Sequence, residues 1–245
     1  ELVNRDALSS NSVKARRDLM HRMVDNGDQE FLGIEGFPAE RGLYETLLAA
    51  TGLHSKKTED KWGFKAPSPG ETSDLHYLWD ATLQAVAEAR SEGVSAADIY
   101  NHWSEPPYGI KAGLMPVFLL AFALAHANRV AVYRAGVFEP VLTDADADEL
   151  LQDPRRFNIR WVEEEADHAA AVTSVATIVS RCGFPPDGNS PLEVARSLVA
   201  LAFSLPAWGR RTQRVSKEAK AVRDVLLRAE DPHRLSEPRR DRGDP

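Results

Sequence analysis

The chain has 245 residues, 43% of them hydrophobic and 27% charged, with a net charge of −7 and a single cysteine, Cys182. A chain of this length can bury ~70–75% of its unfolded surface, so it needs no metal or disulfide staple, and one cysteine excludes an internal disulfide. The acidic balance excludes nucleic-acid binding by the surface at large and leaves room only for a local basic patch.

In chain order, the first expected element is the helix in "LSSNSVKARRDLMHRMVDNG", opened by serines and stopped at Asn26-Gly27. "FPAERGLYETLLAATGLH" sets Leu43, Tyr44, Leu47 and Leu48 on one helical face and ends at Gly52. Residues 54–73 are polar and rich in Pro, Gly and charge, which predicts a loop with one short strand around Trp62–Phe64. The next helix, "DLHYLWDATLQAVAEARSEG", turns Leu75, Leu78, Trp79, Leu83 and Val86 inward and stops at Gly93. Ser95 with Asp98 three residues on predicts a capped short helix ending near Trp103, after which Pro106-Pro107 breaks the chain.

"LMPVFLLAFAL", residues 114–124, is the most apolar stretch. It is short of the ~20 apolar residues that span a membrane, and a helix apolar on every face is buried in protein. It also lacks the exposed Arg, Asn, Gln or Ser with which a recognition helix reads a DNA groove. The stretch therefore predicts a core helix over 113–127. "RVAVYRAGVFEPVLT" alternates apolar and polar residues around Ala135-Gly136 and predicts a β-hairpin. A helix over 144–151 capped by Thr143 and a strand at "RFNIRWV" follow. Helices are expected over 162–181, after Ser190-Pro191 with Glu193 as a capping partner, and over 217–230 with Val222, Val225, Leu226 and Ala229 on the apolar side.

The fold class that results is mainly α with a small β component, a helical fragment containing a winged-helix-like module. The expected organisation is a helical segment and loop over 1–70, the winged-helix-like module with its hairpin over 71–165, and a helical segment with a basic end over 166–245.

Motifs for chemistry are missing. No G-x-x-x-x-G-K-[ST] or G-x-G-x-x-G is present to cradle phosphate. "TDADADELL" has the acidic look of a calcium loop, but Glu149 stands where glycine is needed and Arg155 where a bidentate Glu is needed. Its acids suit a helix N-terminus instead. The seven histidines form no H-E-x-x-H, and no cysteine pair exists, so zinc is not expected. His102-Trp103-Ser104-Glu105 holds catalytic residue types, yet adjacency in sequence makes no triad, and a helix end is the simpler reading. "EEEAD" at 163–167 reads as an acidic first helical turn, and Cys182, near a helix C-terminus, lacks the setting that activates a thiolate. No catalytic, cofactor or metal residue is therefore expected, and no cofactor.

The one candidate site is basic. "WGRRTQRVSKEAKAVRDVLLR" carries Arg210, Arg211, Arg214, Lys217, Lys220, Arg223 and Arg228, and the first five are the candidates for touching phosphates without reading sequence.

The blocks "ELVNRDALSSNSVKARRDLM", "GIEGFPAERGLYETLLAATGLH", "PPYGIKAGLMPVFLLAFALA", "VFEPVLTDADADELLQDPRRFNIRW" and "LPAWGRRTQRVSKEAKAVRDVLLRAEDPHRL" occur in this order up to Leu235. Together they resemble the region downstream of the ATPase core in very large bacterial P-loop ATPases of phage defence, the BREX and phage-growth-limitation class. The resemblance rests on sequence texture and carries over no catalytic residue. It implies a non-catalytic portion that couples nucleotide state to DNA or to partner subunits, with other regions of a longer chain as partners. The first residue, Glu1, fits such a fragment, while "SEPRRDRGDP" after Leu235 departs from the pattern. The alternative expectation is a stand-alone winged-helix-like DNA-binding transcriptional regulator, with an enzyme of unrecognised site as a third. A cytoplasmic setting is expected from the lone cysteine and the lack of a signal-peptide pattern.

Overall fold

The computed structural model describes residues 9–58, 61–70, 74–90, 92–163 and 168–227. The chain divides into two units, the first ending at Trp161 and the second beginning at Val162. The architecture is mainly helical with small antiparallel sheets. Among the described residues no helix is long and apolar enough to cross a membrane.

In the first unit, α1 (Ser10–Asp25) begins where the Ser9 side chain accepts the Ser12 N–H. It buries Ala15, Leu19, Met20 and Met23, the i, i+4, i+8 stripe of an amphipathic helix. After a short 3-10 turn whose Phe31 and Leu32 both sit at positive φ, α2 (Ala39–Tyr44) runs on through a π-helical turn (Glu45–Ala49). Tyr44, Leu47 and Leu48 are buried there and Leu43 is half-buried.

The expected loop over 54–73 contains two strands, not one: β1 (His54–Thr58) pairs antiparallel with β2 (Lys61–Phe64). β1 reads as polar because its residues beyond His54 face outward, and the backbone pairing, not side-chain burial, makes the strand. Its inward residue is a histidine. His54 donates its Nε2 proton to the Gly27 carbonyl at 2.9 Å and accepts the Tyr44 hydroxyl at Nδ1 at 3.0 Å. Every buried polar atom of that ring thus has a partner.

α3 (Leu75–Ala89) buries Leu78, Trp79, Thr82 and Val86. It ends at Arg90, earlier than expected, and Gly93 with φ +69 leads into a strand with no sequence signal, β3 (Val94–Ser95). A Cβ at Gly93 would stand 2.7 Å from the Ile159 carbonyl, so the close strand approach requires glycine. Ser95 then caps α4 (Ala96–Ser104), whose Trp103 donates its indole N–H to Thr82 at 2.8 Å.

α5 (Met115–Ala125) is the apolar stretch, with Pro116 in its first turn. Every residue from Met115 to Ala123 is buried. α1 and β2 pack on it from the N-terminal part of the chain, and α4, α6 (Asp144–Gln152) and β4 (Val130–Arg134) from the rest. Residues on both sides of position 70 therefore share one core. At roughly 1.5–3 kcal/mol for each large side chain removed from water, this helix outweighs the tenths of a kcal/mol at stake in helix propensity.

The hairpin is as expected: β4 and β5 (Val137–Glu139) are joined by Ala135 at φ 51 and Gly136 at φ 83, the left-handed pair of a type I′ turn. The sheet order is β3-β6-β4-β5, with β6 (Phe157–Trp161) between β3 and β4. Val130, Val132, Phe157 and Ile159 share the face that meets α5 and α6.

The second unit is helical: α7 (Ala169–Arg181), α8 (Pro191–Ser204), α9 (Ala207–Arg211) and α10 (Lys217–Leu227). α8 packs against α7 and α10. Its start is the expected capping box, with Ser190 accepting the Glu193 N–H and Glu193 accepting the Ser190 N–H. α7 begins later than the expected 162, and most of "EEEAD" lies outside the described residues.

Candidate nucleic-acid interface

The five candidate cations lie on three consecutive pieces of the second unit. Pro206 fixes an extended backbone ahead of α9, a helix absent from the sequence expectation. Arg210 and Arg211 end it, Arg214 follows in the connecting turn, and Lys217 and Lys220 stand on the first turn and a half of α10. Arg211, Arg214 and Lys217 are exposed, and Arg210 and Lys220 half-buried. Ser216 caps α10 by accepting the Ala219 N–H at 3.2 Å.

One basic residue of this stretch has another job. Arg223 is buried, and its Nη1 donates to the carbonyls of Thr212 at 2.6 Å and Gly209 at 3.2 Å. It satisfies carbonyls at the C-terminal end of α9, which a helix leaves without partners, and so fastens α9 to α10. It belongs to the scaffold and is unavailable to phosphate. Arg228 and Ala229 lie outside the described residues.

The remaining cations are underused. Among the described residues Arg210, Arg211, Arg214 and Lys217 form no ion pair, and Lys220 donates only to the Gln213 side chain. Arg210 and Arg211 suit the negative end of α9, but Lys217 sits at the positive end of α10, where a cation disfavours the helix. Its placement does not serve local stability. Glu218, the one carboxylate between residues 207 and 220, is held below the usual carboxylate range by hydrogen bonds to its own backbone and to Ser216.

A residue that the sequence reading passed over stands beside them. Trp208, on α9, is 73% exposed, the largest exposed aromatic of the second unit. The signal available was its setting: Arg211 and Thr212 at i+3 and i+4 give it no apolar companion on the same helical side.

The other polar clusters are structural. The acids of "TDADADELL" face basic side chains of neighbouring elements. Asp148 accepts from Arg17 Nε at 2.6 Å and lies 2.8 Å from His21, and Asp144 lies 3.6 Å from the same imidazole. Asp146 accepts the Thr143 N–H and hydroxyl and meets Arg134 at 2.8 Å, and Glu149 pairs with Arg134 and Arg156. The Arg17 hydrogen bond holds Asp148 below the usual carboxylate range, and Arg134 does the same for Glu149. Among the described residues no group of three His, Cys, Asp or Glu side chains is placed to hold a metal ion.

At His102–Glu105, Trp103 turns into the core while the Ser104 hydroxyl donates to the Asn101 carbonyl, so the neighbouring polar groups do not converge. Cys182 is exposed at the C-terminal cap of α7.

Comparison with protein-family models, with curated proteins and with solved structures gives no match to the chain.

Proposed function

We propose that this chain is a non-catalytic portion of a large phage-defence ATPase, coupling nucleotide state elsewhere in that assembly to DNA, with partner subunits as its other contacts. Its own share is to hold nucleic-acid backbone through Arg210, Arg211, Arg214, Lys217 and Lys220. The observation that carries this reading is a group of cations, three of them exposed, that form no ion pair among the described residues of an otherwise acidic chain. Phosphate contacts position a protein on nucleic acid without specifying sequence, and flexible cations on a helix–turn–helix corner serve that purpose. A cytoplasmic setting is part of the same reading.

A winged-helix-like module within the first unit is a second element of the proposal. The order α3, β3, α4, α5, β4, β6, with β6 between β3 and β4, is the helix and strand succession of such modules, and β5 with α6 then forms an insertion between the last two strands. This topology favours the runner-up reading, a winged-helix-like DNA-binding regulator. Against it stands α5, which occupies the recognition-helix position and is covered by α1 and β2. A helix with no polar exposed face cannot read base edges. The module serves here as a scaffold.

Duplex binding measured by fluorescence anisotropy across a salt series tests the proposal. Affinity is expected to fall with a slope near −0.9 per neutralised phosphate. Replacing Arg210, Arg211 and Arg214 together by Ala should flatten the slope and weaken all sequences alike. Binding that survives this replacement, or that prefers one sequence strongly, would overturn the assignment. Calorimetry is expected to show no saturable ATP binding by this chain, because it has no phosphate-cradling loop.

A further inference from the structure

The cations account for phosphate but not for Trp208. An indole 73% exposed on a five-residue helix adds nothing to a core, and its helix is fastened to α10, since Arg223 bonds the Gly209 and Thr212 carbonyls. Trp208 and Arg211 are i, i+3 neighbours on one helical side, with Cβ atoms about 5–6 Å apart. An aromatic face and a guanidinium at that separation match one nucleotide, its base on the ring and its phosphate on the cation. Arg210, Arg214 and Lys217 lie within nine residues of Trp208 along the chain.

We infer that the basic corner is built for single-stranded nucleic acid, with Trp208 as the stacking platform for an unpaired base and Arg211 as the clamp on its phosphate. The inference rests on the phosphate-contact reading above and narrows it. A duplex presents phosphates to the cations but keeps its bases stacked inside, so the indole gains nothing unless a base step is pried open. An unpaired strand offers both contacts at once, and every base has a π-face, so the recognition tolerates any sequence. The segment 207–220 that carries Trp208 holds five cations and a single carboxylate that is already hydrogen-bonded, a charge balance that suits a polyanion better than a mixed protein surface.

The test compares a fluorescein-labelled oligo(dT) strand with a duplex of equal length at low salt, by anisotropy on the whole chain. The single strand is expected to bind about 5- to 150-fold more tightly, the gain expected from one stacked base. Trp208→Ala should abolish the preference and leave duplex affinity unchanged, while Trp208→Phe should keep most of it. A strand with abasic sugars at every position should bind the parent as weakly as oligo(dT) binds Trp208→Ala. Oligo(dT) should quench tryptophan emission in the parent but not in Trp208→Phe. Equal affinity for strand and duplex, both lost on replacing the three arginines, would overturn the single-strand assignment and leave the phosphate reading standing. Binding of both that ignores the arginines would overturn the phosphate reading and this one with it. Self-association of the parent that Trp208→Ala dissolves would assign the indole to a protein contact and overturn the inference.

Discussion

Trp103 and Trp208 are the same residue, each one position from a helix end, and they meet opposite fates. Trp103 is fully buried and Trp208 is 73% exposed. Around Trp103 the chain supplies Ile99 one turn earlier, Tyr100 whose ring lies 6.1 Å away, and Thr82 from α3 as an acceptor for the indole N–H. Around Trp208 the same helical side carries Arg211 and Thr212. A tryptophan goes inside when its neighbours at helical spacing are apolar and its N–H finds a partner. It stays outside, free to meet a ligand, when neither condition holds. The regions behave accordingly: α4 and α5 are woven into the core of the first unit, while α9 and the start of α10 present side chains outward.

The sharpest way to break this contrast is to cut into the buried region. Leu119 and Leu120 are 1% and 3% exposed. Replacing either by Ala should cost about 2–5 kcal/mol, from lost transfer energy and the cavity left behind. Urea melts of both variants that overlay the parent would show that α5 is not the core. Thr82→Val comes next. It is nearly isosteric, but it removes the acceptor of the Trp103 indole and should cost about 1–3 kcal/mol in the same melts. An unchanged midpoint would mean that the indole N–H does not depend on that bond.

Acidity should separate the regions more gently. Burial lowers the pKa of His54 and of His126, so each is neutral in the fold at a pH where the unfolded chain binds a proton. The unfolded state then takes up more protons, and stability must rise with pH across that interval. The contribution of both histidines is complete above the unfolded value of about 6.5 and is lost as pH falls towards the lower folded values. Asp148 and Glu149 are also shifted downward, so their contribution is complete above the ordinary carboxylate range and is lost only as pH falls through that range towards their lower folded values. Urea midpoints should therefore drop between pH 7.5 and pH 5.5, and His54→Asn should be destabilised at the higher pH but show a smaller drop. A drop of the same size in that variant would remove His54 from the account.

The smallest effect belongs to Trp208. Trp208→Ala should leave stability within about 0.5 kcal/mol of the parent, as for an exposed residue without packing partners. A thermal melt displaced by several degrees would place the indole in the structure of the second unit and erase the contrast with Trp103.

Much of the helical scaffold could be read in advance because its signals are local. Ser9, Ser95 and Ser190 each accept a backbone N–H at a helix start, and Thr143 is tied to Asp146 at another, as their positions before apolar periodicity indicated. Ala135-Gly136 set the hairpin because its turn needs two left-handed residues. The uniformly apolar 114–124 had to be a buried helix, since water excludes it on every side. The strands β1 and β3 were not legible. β1 is polar beyond His54, and β3 is two residues long, so each exists through hydrogen bonds to a distant segment and not through its own pattern. α9 escaped for the same reason: five residues are too few to show a period, and Arg223, far along the chain, fastens its end.

For the basic corner, the amino-acid sequence by itself determined which residues are cationic and that they cluster, because charge is a property of composition and spacing. Which of them are free was decided by tertiary structure. Arg223 looks like its neighbours in sequence, yet it is buried against two carbonyls, while Arg211, Arg214 and Lys217 face outward. The same holds for the acids of residues 144–149, whose partners Arg17, His21, Arg134 and Arg156 come from other elements. Short-range interactions along the chain set helix starts, turns and the sign of a patch. Whether a charged or aromatic side chain is used up or left available depends on which distant groups the fold brings within hydrogen-bonding distance, and only the packed structure settles that.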